Sequence, residues 1–235
     1  MIRQPTSTTT TMDTLTTTQE LDTTRNLFRF EKLPKPALAI MDAAAAELEN
    51  NAAASHALQP GAIAPDFILP NVDGRSMRLY TELERGPVVL VFYRGGWCPF
   101  CNIHLRGFQK SLAEFKAAGA QVVAISPQLP DQSLTTQEKD DLAFAVLSDV
   151  GLHTAQGFGI AYVLPQALLD VHRDFEVPLE DFNGSEGGNR LPMPATFVIR
   201  TDHTVAYAHI DTDFMQRAEP IEVLNLVRKL ETAKA

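Results

Sequence analysis

Two cysteines, Cys98 and Cys101, are the only ones in a chain of 235 residues, and they form a C-x-x-C pair. The residues before them, Val88-Val89-Leu90-Val91-Phe92-Tyr93, read as a buried strand, and Arg94-Gly95-Gly96-Trp97-Cys98-Pro99-Phe100-Cys101 reads as a turn into a helix. A thiol at a helix start meets unpaired amides and the positive end of the macrodipole. Both favour the thiolate, which is the reactive form. With Cys98 as N-cap, Pro99 takes the first helical position, where its missing N–H costs nothing, and Cys101 falls in the first turn. Arg94 adds positive potential, and Trp97 can shield one face of the pair. Any internal disulfide has to join Cys98 to Cys101. If a peroxide oxidises one sulfur to a sulfenic acid, the other is the only internal resolving thiol. If one attacks a disulfide, the other completes the exchange. Both routes end in the same ring, and an outside thiol must reopen it.

Other chemistries for the pair are weaker. A structural disulfide suits a cytosolic chain poorly. His104 follows Cys101 at helical spacing, but a closed zinc site needs a fourth ligand and there is no second C-x-x-C. Haem attachment requires His directly after the pair, where Asn102 stands. No metal and no cofactor are therefore expected. His104 is read as a partly exposed helix residue, the remaining histidines receive no role, and Asp149 is read as an ordinary loop carboxylate. Phe108 and Phe115 are core by spacing. Far downstream, Leu191-Pro192-Met193-Pro194-Ala195-Thr196-Phe197 places a proline directly before a strand. In a redox fold of this kind that proline packs against the cysteines, so a cis Met193–Pro194 bond is predicted, with Pro192 as an ordinary loop proline.

The elements that must hold these residues follow from pattern. Hydrophobic content of 45% and charged content of 21% suit a globular domain with a real core. The net charge of −9 argues against nucleic-acid and anionic-membrane partners. No apolar run follows the early Arg3, so a secretory signal is not expected, and the chain is assigned to the cytoplasm. Residues 1–34 are read as a disordered, Thr-rich tail, with Met12 as an alternative start. A helix at 35–58, marked by Leu38, Met41, Ala45 and Leu48, docks on the domain. The domain itself runs over 59–235. It opens with a hairpin around Asn71-Val72-Asp73-Gly74, and Thr81 caps a short helix before the strand at Val88. A helix follows the cysteines to Gly119. Further strands are read at 121–126 and 144–147, with a short helix at 153–158. An insertion at 163–190 is read as a short helix and a mobile loop. A second hairpin spans 195–210, and a last helix starts at Pro220. The class is α/β with a central mixed sheet flanked by helices.

Phe92 through Asn102 resembles the active-site segment of peroxiredoxin-like proteins that carry a thioredoxin-type C-x-x-C. Gly61 with Ala64-Pro65-Asp66-Phe67, Ala124-Ile125-Ser126-Pro127, Leu147-Ser148-Asp149 and Pro194-Ala195-Thr196-Phe197 are similar to the rest of that pattern. The resemblance covers about residues 61–230. It implies a thioredoxin-like fold of the peroxiredoxin type, with its N-terminal hairpin. The chain also departs from the pattern. Peroxiredoxins place a Pro and a Thr before the peroxidatic cysteine. Alignment on Phe92-Tyr93 puts Cys101 at that cysteine, Arg94 at the Pro and Cys98 at the Thr. The arginine usual before the later strand is replaced by Pro194. Arg94, Arg190 and Arg217 are the candidates to supply the missing positive charge.

The resemblance implies an antioxidant thiol oxidoreductase that reduces hydroperoxides through Cys98 and Cys101, with Arg94, Trp97, Pro99 and Pro194 shaping the site. Its partners are a hydroperoxide or disulfide and a thiol donor (thioredoxin, glutaredoxin or a small thiol), and its assembly a homodimer. Two alternatives stay open: a protein disulfide reductase, and a slow redox sensor read by a partner through the helix at 36–54 or the 163–190 segment. The attacking sulfur is also open, Cys98 for disulfide exchange and Cys101 for peroxide.

Overall fold

A computed structural model describes residues 15–232. In chain order it contains α1 (Thr17–Leu27), a π-helical turn (Phe28–Lys32), α2 (Lys35–Asn50), β1 (Ile68–Pro70), β2 (Ser76–Arg78), α3 (Leu79–Leu83), β3 (Val88–Phe92), α4 (Pro99–Lys110), α5 (Leu112–Ala117) and β4 (Gln121–Ser126). There follow α6 (Pro130–Lys139), β5 (Ala145–Ser148), α7 (His153–Gly157), β6 (Ala161–Val163), α8 (Gln166–Asp174), α9 (Leu179–Gly187), β7 (Arg190–Pro192), β8 (Ala195–Ile199), β9 (Val205–Ile210) and α10 (Pro220–Thr232).

The central sheet has five strands in the order β5-β4-β3-β8-β9. β3 runs parallel to β4, and β4 to β5, while β8 is antiparallel to β3 and to β9. The sheet is therefore mixed, as the sequence predicts. Strand alternation sorts its side chains to two faces. Val89, Val91 and Tyr93 pack with Leu105 and Phe108 of α4 and Val223, Leu224 and Val227 of α10. Val88, Leu90 and Phe92 pack with Leu79 and Leu83 of α3 and Ala155 of α7. β3, buried on both faces, is an unbroken apolar run for that reason. Its C-terminal end delivers the chain to the cysteines.

The N-terminal region departs from expectation. Residues 17–32, read as disordered tail, are helical. Threonine supplies caps here rather than low-complexity chain. The Thr16 hydroxyl accepts from the Gln19 N–H, and the Gln19 side chain accepts from the Thr16 N–H. The Glu219 carboxylate then accepts from both the N–H and hydroxyl of Thr18, and Leu21 enters the core. The helix expected at 35–58 is α2, followed by a short 3-10 turn at Ala53–His56. The proposed start at Met12 lies outside the described residues.

Other corrections are local. Thr81 lies inside α3, whose N-cap is Arg78. α6, which the sequence does not announce, connects β4 to β5. The 163–190 insertion holds two helices instead of one helix and a loop. It closes with β6 pairing antiparallel to β7, and Asn183 is buried in it. No cis peptide bond occurs among the described residues, so Met193–Pro194 is trans. The Met193 N–H bonds to the Ile160 carbonyl, and Ala195, directly after Pro194, is already paired with Phe92, so both sides of the bond are fixed by the flanking strands. Among the described residues no helix is long and apolar enough to cross a membrane.

Candidate active site

The turn from β3 into α4 is tightly tied. The Cys98 N–H bonds to the Gly95 carbonyl, and the Cys101 and Asn102 N–H groups both bond to the Cys98 carbonyl. Gly95 adopts φ +155°, and a Cβ there would lie 2.3 Å from Trp97 Nε1. Gly96 donates to Gln128 at 2.8 Å, and its carbonyl accepts from the Asn102 amide at 2.9 Å. Cys98 is the N-cap of α4 with extended φ/ψ, Pro99 is N1, and Cys101 sits in the first turn. This is the arrangement the spacing predicts.

Both thiols are free, and both are buried, with Cys98 1% and Cys101 0% exposed. Arg217 Nη2 donates to Cys101 Sγ at 3.1 Å. The same guanidinium is held by the carbonyls of Phe214 and Gln216. Arg94 lies sandwiched between aromatic rings, its guanidinium carbon 4.9 Å from the Trp97 centroid and 4.6 Å from that of Phe214. Its Nη2 donates to His172 Nε2 at 3.2 Å. Burial first, and then Arg94, push the His172 pKa down to about 3, so the ring is neutral and accepts that bond.

The two sulfurs differ in charge. Burial pushes the Cys98 thiol well up, and contact with the Cys101 sulfur adds to this against the pull of both arginines. Burial also opposes ionisation of Cys101. There it is outweighed by the hydrogen bond from Cys98, the Arg217 guanidinium, and the main chain and guanidinium of Arg94. Cys101 is therefore held well below the ordinary thiol value of 9.0, with the neighbouring Cys98 thiol and the Arg217 guanidinium favouring its charged form.

Beside this pair lies a cavity of about 490 Å³. Phe28 and Leu33, Met41 and Ala44 of α2, and Leu168 of α8 with Phe175 give it an apolar wall, and Arg94, Trp97, Cys98, Pro99 and His172 complete it. Cys101 and Pro194 do not line it. Of the predicted site residues, Cys98, Cys101, Arg94, Trp97 and Pro99 thus come together. Pro194 stands one residue beyond the Phe92–Ala195 strand pair. Of the candidate arginines, Arg217 bonds the Cys101 sulfur and Arg94 acts on the pair through its charge and main chain, whereas Arg190 bonds the Glu186 carbonyl.

Three residues differ from their sequence reading. His104 is 1% exposed because its Nε2–H donates to the Ala218 carbonyl, tying α4 to the start of α10. Asp149 is buried and caps α7, accepting from the Thr154 and Ala155 N–H groups. Cys98 is not the exposed thiol that its place at the helix start suggests, because α2 and α8 wall it in. His172 and Phe214 escaped the sequence reading. The spacing of Leu168, Val171, His172 and Phe175 on one helical face was the signal that could have found the first.

Comparison with known proteins places these features. Residues 60–208 match the AhpC/TSA family. Over 103 residues the chain is 34% identical to peroxiredoxin Bcp of Escherichia coli strain K12, covering 44% of this chain and 65% of that relative. It is 34% identical over 100 residues to the chloroplastic peroxiredoxin Q of Gentiana triflora, covering 43% and 46%. The chain thus spans less than two thirds of the length of these curated relatives. Peroxidoxin BcpB from Mycobacterium tuberculosis has a similar structure, with a TM-score of 0.59 at 26% identity over 74% of this chain and 98% of that one. PrxQ from Xylella fastidiosa shares the fold at a TM-score of 0.57 and 15% identity, over 76% and 98%. The family match takes in more than half of the 235 residues, with both cysteines, Arg94 and Pro194 inside it, and the chain belongs to the AhpC/TSA family.

Proposed function

We propose that this chain is a thiol peroxidase that reduces hydroperoxides through a Cys98/Cys101 dithiol–disulfide cycle. One observation carries the reading: Cys101 Sγ, in the first turn of α4, accepts a hydrogen bond from Arg217 with a second thiol beside it. The Cys101 thiolate attacks the terminal peroxide oxygen and the O–O bond breaks. The alkoxide leaves and takes a proton from water, and Cys101 becomes a sulfenic acid. Cys98 attacks that sulfur, the disulfide forms, and water departs. Two electrons from an outside thiol reopen the ring. Arg94 and Arg217 take the part of the absent Thr and Arg, fixing positive charge where negative charge develops. Trp97 and Pro99 shape the approach. The cycle belongs in the cytoplasm, where thiol pools are reducing.

Protein disulfide reduction has less support. It calls for an exposed first cysteine, and Cys98 is 1% exposed with its thiol pushed up by burial.

The test is sulfenic-acid trapping and mass spectrometry after one equivalent of hydrogen peroxide. Cys98→Ser should carry the trapped acid on Cys101, and Cys101→Ser should carry none on Cys98. Stopped-flow fluorescence of Trp97, the sole tryptophan, gives the rate in the unmodified protein. A rate no faster than that of a free thiol would dispose of the peroxidase reading.

A further inference from the structure

We infer that the cavity over Cys98 is where the disulfide is reopened, and that its occupant is a small thiol with an apolar body rather than a protein thiol. The inference rests on the Cys98/Cys101 cycle proposed above and names its electron donor.

Two independent observations choose the sulfur that is attacked. Cys98 forms part of the cavity wall and Cys101 does not. Thiol–disulfide exchange also expels the better leaving group, which is the thiol of lower pKa. Cys101, beneath Arg217 at 3.1 Å, is that group. Access and leaving-group stability therefore both direct attack to Cys98.

Charge then draws in the nucleophile. In the reduced protein the Cys101 thiolate is the anion beside Arg94 and Arg217. Neither arginine forms an ion pair with a carboxylate among the described residues. Disulfide formation removes that anion. Two buried guanidiniums are left unpaired, and one of them, Arg94, faces the cavity with its Nε bonded to nothing. An incoming thiolate restores the balance.

Shape and lining choose the class. Phe28, Met41, Ala44, Leu168 and Phe175 present hydrocarbon, which matches an alkyl or aromatic body better than a polar peptide. A folded reductant carries its cysteine on a broad surface. It cannot bring that sulfur to a residue 1% exposed between α2 and α8 without displacing a helix. Much of this wall lies outside the matched region of 60–208, since Phe28, Leu33, Met41 and Ala44 precede it.

In the first step the thiolate R–S⁻ attacks Cys98 Sγ, the Cys98–Cys101 bond breaks, and its electron pair leaves on Cys101. A second thiolate attacks the R sulfur of the mixed disulfide and releases R–S–S–R. Cys98 leaves as a thiolate and is protonated.

The test starts from protein oxidised with diamide, so that no peroxide step enters. The disulfide is mixed anaerobically with dihydrolipoate, dithiothreitol, glutathione or reduced thioredoxin, and Trp97 fluorescence gives each rate. Dihydrolipoate, a dithiol on an apolar chain, should react at least tenfold faster than the polar dithiol dithiothreitol, and faster than glutathione and thioredoxin. Ala45→Phe, which narrows the cavity from a half-buried position on α2, should bring the dihydrolipoate-to-dithiothreitol ratio near one. Leu48→Phe serves the same purpose should the first variant fold poorly. Equal rates for the two dithiols, or thioredoxin outpacing both, would overturn the inference, as would a protein that diamide leaves unbridged. A chain that fails to reduce peroxide yet shows the dihydrolipoate preference would keep this inference and lose only the peroxidase reading.

Discussion

Cys101 is fully buried and yet holds the charged form, because burial is opposed by a charge-assisted hydrogen bond from Arg217, a second from the Cys98 thiol, and the field of Arg94. A thiol with a lowered pKa stays ionised as pH falls below 9.0, the ordinary value. The peroxide rate should therefore stay flat from above 9.0 through neutrality and decline only under acid conditions, as stopped flow across pH will show. A rate that falls tenfold per unit directly below 9.0 would mean an unperturbed thiol. Arg217→Met removes the guanidinium at similar volume. Losing a hydrogen bond to a charged group, worth about 1.5–3 kcal/mol, should raise the thiol pKa by about one to two units. The limb of the pH profile should move back toward 9.0 with it, a shift that mere loosening of the fold does not produce. The cysteines, Arg94 and Trp97 were readable because their chemistry is written in one short segment. Arg217 is among the three candidate arginines, but its placement was not legible: it is 116 residues from Cys101 and sits in an irregular connection between β9 and α10, where no period marks the side chain that turns inward.

α1 is held to the domain at a close crossing with α4. A Cβ on Gly107 would lie 2.3 Å from Thr17 Oγ1 and 3.0 Å from Pro220, so the glycine lets α1, α4 and α10 meet. Gly107→Val should cost about 1–3 kcal/mol by overpacking. Hydrogen exchange should place the gain in mobility in α1 and the turn after it. Phe28 packs edge-on against Phe100 with centroids 5.4 Å apart, so the cavity wall should loosen in step. Unchanged exchange in α1 would mean that the crossing does not hold the helix. Elements with one dominant signal were legible. β3 and β4 are apolar runs, α4 carries a helical stripe behind Pro99, and α10 starts on Pro220. Elements whose composition points elsewhere were not. α1 is rich in threonine and forms through its capping box and its docking. α9 contains Asn183, Gly184, Ser185 and Gly187, residues of turns, and it kinks at Gly184, where φ is +67°. Packing of Leu179 against Leu168 of α8 and Leu191 of β7 overrides that weak propensity, which is a tertiary effect that a local reading does not contain.

The oxidation state of one sulfur pair reaches the stability of the whole chain. Closing Cys98 to Cys101 forms a ring of four residues. Loop-closure entropy for so short a ring stabilises by only about 2 kcal/mol. The same step discharges the Cys101 thiolate beneath Arg217 and leaves a buried cation without its partner, a change that costs about 3–5 kcal/mol. The charge effect is the larger, so the oxidised protein should unfold at a lower temperature than the reduced protein at neutral pH. For a chain of this size the difference is about 2–4 °C per kcal/mol. A thermodynamic cycle links this to function: whatever makes the disulfide destabilise the fold also makes the fold favour reduction, so the ring stays easy to reopen. Arg217→Met separates the two contributions. Without the Arg217 guanidinium only the weaker, through-space effect of Arg94 opposes the ring entropy, and oxidation should raise the unfolding temperature instead of lowering it. Calorimetry of reduced and diamide-oxidised protein, in parent and variant, reads both signs. A parent that melts higher when oxidised would show that the Cys101–Arg217 contact contributes less than the ring, and the guanidinium would no longer account for the charge on Cys101.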